Sequence, residues 1–555
     1  MSLTLNLGGK RLAEINKENI QARVRVNNLR TRFFTSKGIV KAIDNLSLNL
    51  LEGETYGIVG ESGSGKSVTA TSIMDLIPDP PGRITRGNIF IDGFNILSGY
   101  DKHVRIIAKS ETNVKFRRRK RLIRKHNYII SGIRGKKIAM VFQEPFLSLN
   151  PVLTIGEQIE EAILLHSRVS IANSIIRRET MARKDVEKFV ESIVAQPDIS
   201  TRKKMINRWV NEFGVPDIER PLNDLFENST DDSFITEEAF ALADAEKTGI
   251  NLDQIYTARG YFDLLDRLHE TNLQLIEAEA TGNEEAAQGF RDTEHELKSA
   301  LLKEYLSYSI QRRFLKRVYE KPFKDVARRR AIELLDRVNI AGSERVLDSY
   351  PHELSGGMQQ RSMIAMALSS NPRILIADEP TTSLDVTTQA QILELFKDIN
   401  RESNMSILFI THDLAVVAEM CNRVGVMYGG NLVEEGNVSS MFKDAKHPYT
   451  TGLMNSIPRA ERRFDKSQRL ESIPGTVPNL ITPPSGCRFH PRCKFKMDIC
   501  SEKKPKLVEI EQGHKVACFL YSDEVEEEIP DDFYVVPKNE ETGEKPYNEA
   551  EGVTQ

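Results

Sequence analysis

Hydrophobic and polar positions divide the chain into stretches that predict strands and stretches that predict helices. Arg23–Val26 and Leu46–Leu50 alternate polar and apolar residues with a period of two, which is typical of half-buried strands. Short apolar runs that predict buried strands occur at 55–59, 137–142, 373–377 and 406–410. Helical patterns follow most of these runs. Strands that alternate with helices predict an α/β fold with a largely parallel sheet.

Changes in composition along the chain predict its domain organisation. The predicted parts are a first α/β stretch (22–166) with a basic insert at about 102–136, an inserted charged helical domain (167–322), a second α/β stretch (323–445), an irregular C-terminal module richer in Pro and Cys (446–522), and an acidic tail (523–555). The inserted domain shows no sustained heptad, which argues against a long coiled coil. The tail carries twelve acids and two bases, a composition that predicts disorder.

The basic insert centres on Arg117–Arg121 and allows two interpretations. A solvated loop or exposed helix is the favoured one, because charge runs alone are weak evidence. Contact with anionic lipid or nucleic acid is the alternative.

The overall charge and hydropathy exclude several protein classes. The 76 Lys and Arg residues against 80 Asp and Glu residues give a net charge of −4, which argues against a dedicated nucleic-acid binder. No stretch approaches the roughly 18 apolar residues of a transmembrane helix. The N-terminus shows no signal peptide. We therefore expect a cytosolic chain whose association with a membrane is peripheral.

A phosphate-binding loop is the most specific motif. Gly60–Ser67 reads G-E-S-G-S-G-K-S and lies between a predicted strand and a predicted helix. Its glycines let backbone N–H groups point at phosphate oxygens, and the helix that follows adds its positive N-terminal dipole. Lys66 would neutralise the β- and γ-phosphates, and Ser67 would offer its hydroxyl to Mg²⁺. The loop therefore predicts ATP binding.

Further residues at strand and helix ends suggest hydrolysis, although each also has a structural explanation. Asp378 and Glu379 end an apolar strand, where they could approach Mg²⁺ and polarise the attacking water, or act as solvated acids. His412 and Gln143 also follow strands, within possible reach of a γ-phosphate or Mg²⁺. Leu354–Met358 precedes a helix and offers backbone N–H groups, or is only a glycine turn.

In this order, the segments resemble the ATP-binding cassette (ABC) ATPases. The resemblance implies a P-loop nucleotide-binding domain with a mostly parallel sheet, an antiparallel β subdomain and a helical subdomain. It assigns catalytic roles to Glu379, His412, Lys66 and Gln143 and Mg²⁺ contacts to Ser67, Gln143 and Asp378. It assigns ATP contacts to Phe33, Gly60, Ser62, Gly63, Ser64, Gly65, Lys66, Ser67 and Val68. Ser355, Gly356, Gly357 and Asp385 would face the ATP of a partner cassette.

Within this family the chain is similar to the oligopeptide/dipeptide importer branch. Met140–Pro151, Ala377–Ile392 and His447–Thr450 carry the similarity. The branch implies a second, homologous ATPase in a heterodimer, two transmembrane permease subunits and an extracellular lipoprotein that delivers peptide. It also implies a peripheral position on the cytoplasmic side of the cell membrane.

Four cysteines cluster at Cys487, Cys493, Cys500 and Cys518, a set that suits zinc or an iron–sulfur cluster. The lack of C-x2-C pairs argues against zinc. In the importer branch such cysteines hold a [4Fe–4S] cluster, so the resemblance implies a structural cluster here. Reduced free thiols are the alternative.

Two other functions compete with peptide import. A soluble ABC-type ATPase of DNA repair or chromosome maintenance also carries inserts, but this chain lacks heptad arms and C-x2-C zinc modules. A non-enzymatic regulatory cassette conflicts with the intact Lys66, Glu379 and His412. We expect no nucleic-acid partner.

Overall fold

A computed structural model describes residues 22–110, 113–196, 198–213, 218–228, 232–245, 247, 250, 252–382, 384–456, 473–527 and 534–535. The chain divides into two compact units. The first lies within 1–131, 374–380 and 397–555, and the second within 132–373 and 381–396. The predicted domain boundaries stay predictions.

The strands are β1 (Ala22–Thr35), β2 (Gly38–Leu51), β3 (Thr55–Val59), β4 (Gly82–Ile91), β5 (Phe94–Asn95), β6 (Val104–Ser110), β7 (Asn113–Arg118), β8 (Ile138–Val141), β9 (Ile374–Asp378), β10 (Ser406–Ile410), β11 (Arg423–Tyr428), β12 (Asn431–Asn437), β13 (Val508–Glu511), β14 (His514–Val516) and β15 (Tyr534–Val535). All of them except β8 belong to the first unit.

The helices are α1 (Lys66–Ile73), α2 (Lys120–Ser131), α3 (Pro145–Ser148), α4 (Ile155–His166), α5 (Arg168–Thr180), α6 (Arg183–Val194), α7 (Ile199–Phe213), α8 (Glu219–Asn228), α9 (Asp232–Ala245), α10 (Leu252–Thr281), α11 (Glu284–Arg337), α12 (Ser343–Leu347), α13 (Gly356–Leu368), α14 (Val386–Ser403), α15 (Leu414–Met420), α16 (Val438–Lys443), α17 (Pro448–Asn455) and α18 (Ile499–Glu502). Short 3₁₀ turns occur at Tyr100–His103, Pro351–Glu353 and His490–Arg492.

The central sheet of the first unit is parallel where the phosphate loop emerges. Its seven strands follow the order β13-β14-β12-β11-β3-β10-β9. Strand β3 lies between β11 and β10 and is parallel to both, and β10 is parallel to β9. All five residues of β3, β9 and β10 are buried, because helices and loops cover both faces.

An antiparallel sheet of order β2-β1-β4-β5 accompanies the central sheet in the first unit. Strands β1 and β2 pair from Ala22↔Leu51 to Thr35↔Gly38, and β1 also pairs with β4. Apolar residues of all three strands are buried, in agreement with the period-two pattern at Arg23–Val26 and Leu46–Leu50.

The second unit is mainly helical. Apolar residues of α6 to α9 form one of its cores, in which the rings of Phe189 and Trp209 stack with their centroids 4.3 Å apart. Helix α11 contains Pro322 and runs continuously past the boundary predicted at 322–323. The boundary signal was therefore a change in composition inside one helix.

Two segments of the first unit differ from their predicted character. The basic insert forms a β-hairpin (β6 and β7) followed by α2, rather than only a loop or helix. The C-terminal module, here its described residues 446–456 and 473–527, is less separate than predicted, because β14 pairs with β12 of the central sheet. Its contacts continue to Glu526, which accepts hydrogen bonds from Asn45 and Lys504.

The acidic tail lies largely outside the described residues. Within the described part, Val525 forms a bridge with Pro505, and Tyr534–Val535 pairs with β6. A search of the described helices found none long and apolar enough to cross a membrane.

Candidate nucleotide-binding site

The predicted catalytic residues of the first unit meet at one edge of the central sheet. The phosphate loop follows β3, Asp378 ends β9, and His412 follows β10. Since these three strands are parallel neighbours, their carboxyl ends lie side by side. This edge is where open α/β sheets bind ligands.

The phosphate loop curls because two glycines adopt conformations that other residues avoid. Gly63 has a φ of +78° and Gly65 a φ of +105°. A Cβ atom on Gly65 would lie 2.7 Å from the carbonyl oxygen of Ala42. A residue with a side chain would therefore clash with the backbone of β2 at this position. The Ser64 N–H donates to the Glu61 carbonyl at 3.1 Å, and α1 begins at Lys66, within the last two residues of the loop.

The Lys66 side chain is buried and contacts the first two residues of the loop. Its Nζ donates to the carbonyl oxygens of Gly60 at 2.8 Å and Glu61 at 3.2 Å, and lies 3.9 Å from Oε1 of Glu379. Burial lowers the pKa of Lys66, while the carboxylates of Glu379 and Asp378 oppose that shift. The ammonium group is therefore held where phosphate oxygens would approach a curled loop.

Ser67 and Asp378 form a pair suited to a hydrated divalent cation. The Ser67 hydroxyl donates to Oδ1 of Asp378 at 3.1 Å. Burial raises the pKa of Asp378 to about 6, against the opposing effect of the Ser67 hydrogen bond. A desolvated carboxylate beside a hydroxyl is a set of hard oxygen ligands, which is the kind that Mg²⁺ prefers.

Glu379 is held in a strained backbone conformation beside His412. Its φ is +46°, in the left-handed region, and its N–H donates to the Ile410 carbonyl at 2.8 Å. Its Oε2 lies 3.2 Å from Nδ1 of His412. The Glu379 side chain is 12% exposed and that of His412 is 61% exposed, so the pair borders solvent.

The other predicted ATP contacts are spread over the first unit. Phe33 lies on β1, partly buried, and a Cβ on Gly82 would lie 2.7 Å from its ring. The neighbouring Phe34 instead packs edge-on against Phe116 of the basic insert, with 5.3 Å between centroids. Ser62 is exposed and Val68 of α1 is half-buried. The adenine assignment to Phe33 stays a prediction.

The second unit contains the remaining predicted residues. Gln143 is half-buried and lies just beyond the end of β8. Ser355 is the N-cap of α13, where its hydroxyl accepts from the Met358 N–H at 3.4 Å, and Gly356 and Gly357 are the first residues of that helix. A Cβ on Gly357 would lie 2.8 Å from Cγ2 of Thr388.

Asp385 has a structural task at the start of α14. Its carboxylate accepts from the backbone N–H of Thr388 at 2.9 Å and from the Thr388 hydroxyl at 2.6 Å. These hydrogen bonds lower the pKa of Asp385. Since Thr388 also borders Gly357, the start of α14 and the start of α13 lie together in this unit.

The four clustered cysteines are free thiols. The Cys487 N–H donates to the Cys500 carbonyl at 2.9 Å, and burial raises the pKa of the Cys487 thiol to about 12. Among the described residues, however, no group of three or more His, Cys, Asp or Glu is arranged closely enough to hold a metal ion. The iron–sulfur prediction therefore gains no support from a preformed ligand set.

Several residues outside the predicted motifs form hydrogen bonds or ion pairs with the phosphate loop. The Glu61 N–H donates to the Tyr449 hydroxyl at 2.9 Å, and Arg492 forms an ion pair with the Glu61 carboxylate. The Gly430 N–H donates to the Ser64 carbonyl at 2.8 Å. Only the stretch C-R-F-H-P-R-C at 487–493 could have drawn attention to Arg492, and nothing local in it indicates a partner at residue 61.

Comparison with known proteins identifies the family. A model of the family described as "ABC transporter" matches residues 43–226 and 271–382, which is more than half of the chain. A relative from Bacillus subtilis (strain 168) named "Oligopeptide transport ATP-binding protein AppD" is 32% identical over 90% of this chain and 97% of its own length. The chain belongs to the ABC transporter ATPases.

Other matches support the same branch of the family. The model "Oligopeptide/dipeptide transporter, C-terminal region" matches residues 433–500. "Oligopeptide transport ATP-binding protein OppD" from the same organism is 31% identical over 89% of this chain and 88% of its own length. "Dipeptide transport ATP-binding protein DppD" is 30% identical over 91% of this chain and 96% of its own.

These matches confirm the predicted ABC-type fold and ATPase family, and they do not favour the DNA-repair alternative. The resemblance to the oligopeptide/dipeptide branch is also confirmed. The match to the C-terminal model ends at Cys500 and so does not include Cys518.

Proposed function

We propose that this chain is an ATP-hydrolysing subunit of an importer of oligopeptides or dipeptides. The observation that carries the enzymatic part is the convergence of Lys66, Ser67, Asp378, Glu379 and His412 at one sheet edge. The peptide substrate rests on the named relatives and on the C-terminal match, which are specific to peptide transporters.

The reaction is an in-line attack of water on the γ-phosphate of ATP. Backbone N–H groups of Gly60–Gly65 receive the phosphate oxygens, and Lys66 neutralises the β- and γ-phosphates. Ser67 and Asp378 would hold Mg²⁺, which would supply positive charge against the developing negative charge, and the Mg²⁺ contact expected of Gln143 stays a prediction. Glu379 polarises the water, and His412 keeps the Glu379 carboxylate aimed and contacts the γ-phosphate. The 3.2 Å contact between His412 and Glu379 supports this pairing.

Replacement of Glu379 tests the general-base assignment. Glu379→Gln keeps the side-chain shape but removes the charge that polarises water. We expect ATP affinity to stay within about threefold and turnover to fall by about 100-fold or more. The measurement is nucleotide binding together with phosphate release. Normal turnover of the variant would overturn the assignment.

The start of α13 serves a second nucleotide in a dimer of cassettes. Ser355 and Gly356 are exposed at a helix N-terminus, which suits an anionic group of a ligand bound elsewhere. In the proposed heterodimer with a homologous ATPase, Ser355, Gly356, Gly357 and Asp385 face the partner's ATP. Mixing the chain with a partner variant that cannot bind ATP would separate the two sites.

The surface after Gln143 receives the membrane permease subunits. Phe146, Leu147 and Val152 are 62%, 75% and 74% exposed, and together they give this stretch an apolar surface. Two permease subunits would cover it, so the chain is peripheral on the cytoplasmic face of the membrane. An extracellular lipoprotein would bring peptide to the opposite side.

Purification from membranes tests this assembly. Recovery of the chain with two permease subunits and a second ATPase is the expected result. Phe146→Asp should release the chain from the complex without loss of its own ATP binding, and Tyr350→Asp, at another exposed aromatic residue of the second unit, serves as the matched control. Recovery with DNA and no membrane protein would contradict the proposal.

The cysteines of the C-terminal module hold a structural [4Fe–4S] cluster in this proposal, with zinc as the less favoured occupant. Backbone N–H groups of Phe495 and Met497 donate to the sulfurs of Cys493 and Cys500 at 3.4 and 3.5 Å. Such donors stabilise thiolates, which are the ligand form that metals require. Bound iron and sulfide would be measured after anaerobic purification, and colourless, iron-free protein would contradict the cluster.

A further inference from the structure

Glu61, the second residue of the phosphate loop, is held by groups that belong to the C-terminal module. Its carboxylate accepts two hydrogen bonds from Arg492, at 2.7 Å from Nη1 and 3.0 Å from Nη2. Its backbone N–H donates to the hydroxyl of Tyr449 at 2.9 Å. Both the side chain and the main chain of this loop residue are thus tied to residues about 390 to 430 positions later in the sequence.

The guanidinium of Arg492 is fixed from several directions before it reaches Glu61. Its Nε donates to the Pro474 carbonyl at 2.7 Å, and its Nη1 also donates to the Tyr428 hydroxyl at 3.2 Å. Only 7% of the side chain is exposed. The backbone of Arg492 is held as well, because its N–H donates to the Phe489 carbonyl at 2.9 Å within the turn His490–Arg492.

Buried aromatic rings support this contact. The ring centroids of Tyr428 and Tyr449 are 4.6 Å apart, and those of Tyr428 and Phe489 are 5.1 Å apart. Tyr428, Tyr449 and Phe489 are each less than 5% exposed. A bidentate pair between a planar guanidinium and a carboxylate, held over a packed aromatic cluster, has a defined geometry that a surface ion pair lacks.

The contacts of Tyr449 and Arg492 add to the restraint that Lys66 places on the first half of the phosphate loop, where its Nζ donates to the Gly60 and Glu61 carbonyls. No atom lies within 4 Å of a Cβ built on Gly63, and Ser62 is exposed. The second half of the loop is tied by the Gly430 N–H to the Ser64 carbonyl and by the start of α1. In the first half, Glu61 makes the hydrogen bonds to the C-terminal module. A loop that has to present its N–H groups to phosphate binds most tightly when its shape is set beforehand.

We propose that the C-terminal module positions the phosphate loop for ATP through the Arg492–Glu61 pair. Arg492 is a positioning residue, because it acts on the loop and not on the reacting atoms. The inference rests on ATP binding to the Gly60–Ser67 loop and does not depend on which substrate is transported. It gives this module a task in nucleotide binding in addition to any role of its cysteines.

A double-mutant cycle in the full-length protein tests the proposal. Arg492→Ala should weaken binding of a fluorescent ATP analogue by about tenfold and raise the KM for ATP by a similar factor, with kcat changed less than about twofold. Glu61→Ala should do the same. The double variant should be no worse than either single variant, because both changes remove one interaction. Arg492→Lys should recover only part of the affinity, since lysine cannot form the two parallel bonds.

Lys504→Ala is the matched control. Lys504 lies in the same module, is 17% exposed, and joins Glu526 and Asp44 rather than the phosphate loop. It should leave the affinity for the analogue unchanged. If Arg492→Ala strongly lowers the unfolding temperature, the affinity of Glu61→Ala for the ATP analogue decides the test, because this variant leaves all residues of the C-terminal module in place. Unchanged affinity in Glu61→Ala, or additive losses in the double variant, would overturn the proposal.

Discussion

A buried histidine next to the aromatic cluster should make the stability of the first unit depend on pH. His447 is 1% exposed and is the N-cap of α17, where its Nδ1 accepts from the Tyr449 N–H at 3.1 Å. Burial lowers the pKa of His447 from the ordinary value of 6.5 to about 3. The imidazole is therefore neutral in the folded protein at any pH at which the chain is studied.

The sign and size of the effect follow from the two pKa values. Below pH 6.5 the unfolded chain takes up a proton on this histidine while the folded chain does not, so falling pH favours the unfolded state down to about pH 3. Between pH 7.5 and pH 5 this single group lowers the free energy of unfolding by about 2 kcal/mol. No correction for solvent screening is needed, because the ring is buried.

His447→Asn isolates this contribution. Asparagine also accepts a hydrogen bond at a helix N-cap but does not titrate. We expect the free energies of unfolding, measured with urea, to agree within about 1 kcal/mol at pH 7.5. At pH 5 the variant should be the more stable protein by about 1–2 kcal/mol. Equal losses of stability in the two proteins from pH 7.5 to pH 5 would refute the reasoning.

Three further predictions follow from particular contacts. Ser67→Ala removes the hydroxyl that donates to Asp378, so the Mg²⁺-dependent part of ATP affinity, measured by calorimetry with and without chelator, should fall about tenfold. Asp385→Ala should lower the unfolding temperature of the second unit, because the hydrogen bond from the Thr388 N–H to the Asp385 carboxylate is lost. Asp385→Asn should keep that stability, and a fall in its ATPase rate would reveal a role at the partner's ATP. Gly289→Ala, exposed in α11 with no atom within 4 Å of a new Cβ, should raise stability by about 0.5–1 kcal/mol.

The parts of the site that were predictable from sequence are those whose geometry is local. Gly60–Ser67 is a single short loop. The spacing of its glycines, lysine and serine is therefore enough to predict where the backbone N–H groups, the ammonium group and the hydroxyl lie. Asp378 and Glu379 were predictable because acids that follow an apolar strand of a parallel sheet lie at its carboxyl edge, where such sheets bind ligands. The prediction for His412 rested on the same kind of position, just after a buried strand.

The parts that could not be predicted depend on contacts between distant segments. Glu61 and Arg492 are 431 positions apart, so no local pattern in the sequence indicates that they pair. The left-handed φ of Glu379 also follows from its tertiary surroundings, because glutamate has no preference for that conformation. The continuation of α11 through Pro322 could not be predicted either, because proline usually ends a helix.

Similarly, the structural use of Asp385 was hidden behind its resemblance to a family motif. Its carboxylate caps α14 through Thr388, three residues later, which is an ordinary capping spacing. A residue of this kind can serve both a helix and a ligand, so the motif alone does not separate the two roles.

Peptide uptake by the reconstituted complex tests the central claim most directly. The chain, its partner ATPase and the permease subunits would be placed in vesicles with ATP on the side of the ATPases, and labelled oligopeptide and the peptide-binding lipoprotein would be added on the other side. We predict ATP-dependent accumulation of peptide with the wild-type chain and its loss with Glu379→Gln. Steady ATP hydrolysis by the complete wild-type complex without peptide uptake would contradict the account.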